Sequence, residues 1–209
     1  AEDGIRDHCV TGVQTCALPI FSAIPWISNR LMRSPFVRWM AESLFDFSAA
    51  RELPRFAPKT FLRYASARRW NRPQAQGDQK VAYFVDLYAN HFDTDVGRAL
   101  GEVLQQNGIG LYVPPSQSAS GISRLNSGDV RNARKIARKN VRLLADAVRQ
   151  GYHIVATEPS ALLCLKHEYP NLLDDEDAHL VAEHSSEACA YLWDLHQSKQ
   201  LNLDFSRVD

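Results

Sequence analysis

From Val81 to Gln197 the chain alternates short apolar runs with stretches whose apolar residues recur every three or four positions. VAYFVD (81–86), IGLYVP (109–114) and YHIVATE (152–158) are the runs, and their length and density predict strands buried on both faces. The periodic stretches predict helices. TDVGRALGEVLQQNG (94–108) ends on Gly108. GDVRNARKIARKNVRLLADAVRQG (128–151) has Asp129 near its start and Gly151 just past its end, where positive φ is needed. PSALLCLKHEY (159–169) opens on Pro159, a favoured first helical residue, and two further helices follow over 175–183 and 186–197. Strand–helix alternation implies parallel strands joined by right-handed crossovers. The fold class is therefore α/β: a three-layer domain with a short parallel sheet of about three strands flanked by helices. Ligands in such sheets sit beyond the carboxyl ends of the strands, here 86–90, 114–121 and 158–161.

Upstream the pattern differs. Within 27–47, Leu31, Phe36, Val37, Met40, Leu44 and Phe47 follow helical spacing, interrupted near Pro35. This predicts an amphipathic lead helix that packs on another part of the protein, with a membrane surface as the alternative given Arg30, Arg33 and Arg38. Residues 50–80 carry three prolines and a basic run, and read as an extended linker with one short helix at 60–69. Residues 1–20, AEDGIRDHCVTGVQTCALPI, match neither a secretory signal nor a C-x-x-C redox pair. Back-translated, AEDGIRD and VTGVQTCALPI resemble the adapter of short-read sequencing libraries, with His8 and Cys9 where its index lies. The expectation is that 1–20 is adapter-derived and non-native, 21–79 the lead segment and linker, 80–205 the α/β domain, and 206–209 the truncated start of a following segment.

Charge adds one feature. Beyond residue 20 the chain carries 23 basic and 21 acidic residues, a near balance that points to no class of partner. Residues 21–80, however, hold 11 basic and 4 acidic residues, and 81–209 hold 12 and 17, so a basic lead precedes a mildly acidic domain. Only Tyr64 and Trp70 interleave with the linker arginines, which gives no nucleic-acid signature. Cys164 and Cys189 are the cysteines left after residue 20, too few for a disulfide framework. Both sit among apolar neighbours and read as buried structural thiols. With His167 or His184 they lack any recognisable zinc-ligand spacing. SQSASG (116–121) is not a G-x-S-x-G nucleophile elbow. Its Ser116, Ser118, Ser120 and Gly121 form either a self-satisfied turn or a small-anion loop.

The three strand-end loops carry a resemblance. VAYFVDLYANHFDTDVGRALGEVLQQNGI, VPPSQSASGISRLNSGD, ARKNVRLLADAVRQGYHIVATEPSALLCLKHEYPNLL and EACAYLWDLHQ resemble the cysteine-rich CCG domain of iron–sulfur oxidoreductases. That family includes a subunit of heterodisulfide reductase, the iron–sulfur subunits of glycolate oxidase and anaerobic glycerol-3-phosphate dehydrogenase, and fused FAD-linked oxidases. The resemblance implies two such domains in tandem after a ferredoxin-type domain, with cysteines on the strand-end loops holding an iron–sulfur centre. It aligns the family's Gly-Cys with Asp86-Leu87, its Cys-Cys-Gly with Ala119-Ser120-Gly121 and its Pro-Ser-Cys with Pro159-Ser160-Ala161. Leu87, Ala119, Ser120 and Ala161 are thus degenerate ligand positions, and since clusters are held by about four thiolates none is expected to be bound here. FAD and 4Fe–4S clusters are expected in the intact protein only.

The implied chain is a fragment, a docking repeat without its own cluster or catalytic residues. Its implied partners are a flavin domain, a ferredoxin-type domain and a second CCG repeat. Its implied location is cytoplasmic, at most peripheral on the inner face of the membrane. The alternative is a free-standing interaction or small-anion-binding module. A carboxylate at the end of a buried strand needs a partner, so Asp86, Ser118, Ser120, Gly121 and Ser160 are the candidate polar network in place of a cluster.

Overall fold

The computed structural model describes residues 21–45, 48, 54–74 and 79–202. The expectations for residues 1–20 and 206–209, and for Phe47 in the lead helix, fall outside these.

Among the described residues a helical stretch at 21–23 precedes α1 (Pro25–Met32) and α2 (Pro35–Phe45), the last two divided where Pro35 cannot continue the hydrogen-bond ladder. Asn29 ties α1 to the body: its side chain donates to the Phe56 carbonyl at 3.0 Å and accepts from the Phe56 N–H at 2.8 Å. Helix α3 (Phe61–Ala67) follows, capped by the Thr60 hydroxyl on the Arg63 N–H.

The domain then runs β1 (Lys80–Phe84), α4 (Leu87–His91), α5 (Thr94–Gln106), β2 (Gly110–Tyr112), α6 (Ile122–Asn126), α7 (Val130–Arg149) and β3 (His153–Ala156). After β3 come α8 (Pro159–Leu163), a π-helical turn (Cys164–Glu168), α9 (Tyr169–Leu173), α10 (Glu176–Glu183), β4 (Ser185–Glu187) and α11 (Ala188–Gln197). The four strands form one parallel sheet in the order β2-β1-β3-β4. Every strand expected from the sequence is present. Ser185–Glu187 adds a fourth, because the start of the stretch read as helix 186–197 pairs instead with β3, Ile154 against Ser185 through Ala156 against Glu187. Short helices α4 and α6 occupy stretches with too few residues to show a period.

Side chains of β1 and β3 alternate between two cores, as the strand period of two requires. Ala82, Phe84, Ile154 and Ala156 face α7, the π turn, α9 and α10. Val81, Tyr83, Val85 and Val155 face α3, α5 and α11 together with Trp70. Helix α7 turns Ala133, Ala137, Val141 and Leu144 inward, with the Asp129 carboxylate capping the Asn132 N–H and Gly151 (φ +85°) beyond its end. The helix expected over 159–169 continues to Leu173 but widens on the way. Pro170 has no N–H to give the preceding turn and its ring crowds the carbonyl four residues back, so the Tyr169 N–H bonds Cys164 five residues earlier. That spacing puts Cys164 and Tyr169 on the same inward side.

Candidate functional site

Strand order reverses between β1 and β3, since the chain goes from β1 out to β2 and returns past β1 to β3. At the carboxyl ends of these strands lies a cleft of about 520 Å³. Its lining includes Asp86, Tyr88, His91, Ser120, Glu158 and Ser160.

Asp86 ends the β1 run and is 4 % exposed. Its Oδ1 accepts from the Ser120 N–H at 2.9 Å and its Oδ2 from the Ser120 hydroxyl at 2.5 Å, joining loops 34 residues apart. Ser118 does not reach Asp86. Its N–H donates to Asn140 Oδ1 at 2.9 Å, its carbonyl accepts from Asn140 Nδ2 at 3.0 Å, and its hydroxyl accepts from Lys139 Nζ at 2.8 Å. Gly121 holds φ +81°, the left-handed turn that starts α6, and lines the cleft. Ser160 lines the cleft beside Glu158 without a hydrogen bond to Asp86. Of the aligned ligand positions, Leu87, Ala119 and Ser120 line the cleft, while Ala161 is fully buried in the core behind it.

Several residues of the site are not singled out by the sequence, although two of them, Gln117 and Glu158, lie in the expected strand-end loops. Asn140, fully buried on α7, also donates to the Tyr169 hydroxyl at 2.9 Å, and that hydroxyl donates to the Ser120 carbonyl at 2.9 Å. Gln117 accepts from the Val85 N–H at 2.7 Å and donates to the Pro114 carbonyl at 2.9 Å. Glu158 accepts from the Ala89 N–H at 2.9 Å and the Tyr88 N–H at 3.3 Å, so the β3 loop is tied to α4. Burial holds the Glu158 carboxyl above its ordinary range, with the nearby Asp86 charge adding to this and the two N–H groups opposing it. Asn140 was visible in principle, as a polar residue on the otherwise apolar face of a long helix.

Cys164 is the buried thiol expected. Burial pushes it up to about 12, against a hydrogen bond with Ser120, so it stays protonated at neutral pH. Cys189 corrects the sequence reading: it is exposed, because α11 turns Ala188 and Leu195 inward rather than the thiol. Among the described residues no three His, Cys, Asp or Glu side chains are grouped as a metal site would need.

His91 yields a pH prediction. Asn90 Oδ1 accepts from the Leu62 N–H, so its amide nitrogen faces His91 Nε2 at 3.1 Å and makes that atom the acceptor. The proton then sits on Nδ1, which is buried without a partner. Burial lowers the ring's pKa below the ordinary value near 6.5. The unfolded chain therefore takes up the proton first, and stability present above about pH 6.5 is lost as pH falls toward the folded pKa. Thermal melts at pH 7.5 and 5.5 should show this drop, and His91→Gln should remove part of it. His153, also lowered by burial and by the charges of His184 and Lys166, supplies a further part.

Fold and cleft together define an α/β domain of the kind that presents a site at the switch point of a parallel sheet. Comparison with known proteins gives the relatives. The chain is 30% identical over 173 residues to a subunit of the anaerobic glycerol-3-phosphate dehydrogenase of Escherichia coli (strain K12), covering 80% of this chain and 42% of that protein. It is 28% identical over 121 residues to lactate utilization protein A of Bacillus cytotoxicus, covering 56% of this chain and 48% of that protein. These are iron–sulfur proteins with CCG-type domains, and the chain is their homologue. It spans about half or less of their length. No protein-family model and no solved structure matches it.

The residues present do not fit an iron–sulfur cluster. The positions that the resemblance implies as ligands hold leucine, alanine, serine and alanine, and both Asp86 oxygens are engaged by Ser120. Behind the cleft lies a single cysteine, Cys164, packed in the core, whereas a cluster is held by about four thiolates.

Proposed function

We propose that this chain is a fragment of an iron–sulfur, flavin-linked oxidoreductase of the 2-hydroxyacid or glycerol-3-phosphate dehydrogenase type, and acts there as a docking repeat with no cluster of its own. The observation that carries this is the pairing of homology to iron–sulfur proteins with a switch-point cleft whose ligand positions hold no thiolate. In the intact protein, flavin takes the reducing equivalents and clusters in other domains pass electrons on. This domain holds those parts in place.

A surface supports the docking role. Of 13 large hydrophobic residues exposed among the described ones, eight lie within residues 21–40, led by Trp26, Phe36 and Trp39. So dense an apolar patch marks an interaction face, and another domain or subunit of the same oxidoreductase is the partner it fits. No helix among the described residues is long and apolar enough to cross a membrane. A cytoplasmic protein, at most peripheral on the inner face of the membrane, accords with this.

The complete reading frame tests the proposal. A C-x-x-C-x-x-C run upstream and a cysteine-bearing repeat downstream are the expected result. Native start and stop codons at the edges of this chain would contradict it, and would favour a free-standing module.

A further inference from the structure

This inference rests on the reading of a cluster-free repeat. We propose that Asp86 and Ser120 form a clamp that joins the loops around the strand-end cleft and so takes over a cluster's mechanical task there. Each fully equipped repeat, by resemblance, would hang its loops on one inorganic centre. Here Ser120 stands at an aligned ligand position and Asp86 beside another, and their two hydrogen bonds cross the same gap. The remaining loop is drawn in by Glu158, which holds the first turn of α4 through the Tyr88 and Ala89 N–H groups. From behind, the Tyr169 hydroxyl fixes the Ser120 carbonyl while Asn140 fixes both Ser118 and Tyr169. Every loop that a cluster would bridge is therefore bridged by a polar contact.

The chemistry fits the burial. An isolated carboxylate in such a place would be strongly disfavoured. Two donors from one residue, a backbone N–H and a hydroxyl, satisfy both carboxylate oxygens and set the loop's register at once. Serine at position 120 supplies both donors. The thiol of a cysteine there would be a much weaker donor, and alanine would offer none from its side chain. The clamp needs neither iron nor sulfide, so the shape presented to partners is independent of redox state.

The test is a double-mutant cycle on the full chain, followed by urea denaturation and amide exchange. Ser120→Ala removes one donor and should lower the folding equilibrium constant by about tenfold. Asp86→Ala leaves both donors buried and unpaired, and should lower it by about a hundredfold. The double variant should be no less stable than Asp86→Ala alone, since the two act through one contact. Asp86→Asn should recover much of the loss, because its amide oxygen still accepts the Ser120 N–H. Faster exchange at position 120 should accompany Ser120→Ala, and this readout stands even if Asp86→Ala fails to fold. Multiplying effects, or unchanged exchange at position 120, would overturn the clamp and leave the cluster-free reading intact. Chain that binds a cluster when supplied with iron and sulfide would instead overturn the reading on which the clamp rests.

Discussion

Trp70→Ala is expected to destabilise the protein by about 3–5 kcal/mol, which lowers Tm by on the order of 10 °C. Trp70 is 2 % exposed and packs with Phe61 and Tyr64 over the β1–β2 side of the sheet, at ring separations of 6.3 and 5.6 Å. Its backbone carbonyl also accepts from the Val113 N–H at 2.8 Å, so the ring and its main chain hold the end of β2 together. The ring lies directly over Gly101 of α5, where an added Cβ would come within 2.3 Å of Trp70 Cη2. This geometry predicts a reversal of sign. Gly101→Ala alone should destabilise, because the indole must move. In the Trp70→Ala background it should stabilise by up to about 1 kcal/mol, the helix-propensity gain of alanine over glycine. Urea denaturation of the four proteins measures both. Equal effects of Gly101→Ala in the two backgrounds would show that the indole is not held against that helix.

Asn140→Leu, which keeps the branched shape of the side chain but removes its polar atoms, is expected to cost about 3 kcal/mol or more. The amide satisfies the Ser118 N–H and carbonyl and the Tyr169 hydroxyl in a fully buried position. Leucine would leave the Ser118 N–H and carbonyl without this partner and the Tyr169 hydroxyl with only its bond to the Ser120 carbonyl, and a buried group that loses its hydrogen bond costs more than the bond's average worth. The damage should be local as well as global. Amide exchange at 118–120 should rise before that of β1, because Asn140 makes the buried bonds that hold this loop against α7, leaving only the exposed Lys139 contact to Ser118. A variant with unchanged stability would show that water replaces the amide there.

How far the sequence disclosed this architecture varies by element. The apolar runs of β1, β2 and β3 and the long amphipathic pattern of α7 are strong local signals, and they appear where the pattern puts them. Ser185–Glu187 is polar and three residues long, and becomes a strand only because β3 offers it an open edge. Trp70 follows the basic run ARR, and nothing local separates a core indole from a linker residue. The Asp86–Ser120 contact joins residues 34 apart, so periodicity cannot reveal it. The alignment with ligand positions brought both residues to notice, but not their bonding or the support from Asn140, Tyr169 and Glu158. Cys189 is exposed despite its apolar neighbours for a simpler reason: an apolar neighbourhood in sequence does not say which face of α11 turns inward.

This chain, a homologue of an anaerobic glycerol-3-phosphate dehydrogenase subunit and of lactate utilization protein A, is expected to hold no iron–sulfur cluster of its own. Anaerobic reconstitution of the full chain with iron and sulfide, followed by desalting, tests it most directly. The prediction is no absorbance band at about 400 nm and iron well below one atom per chain. A stable band with iron and sulfide in cluster stoichiometry would contradict it.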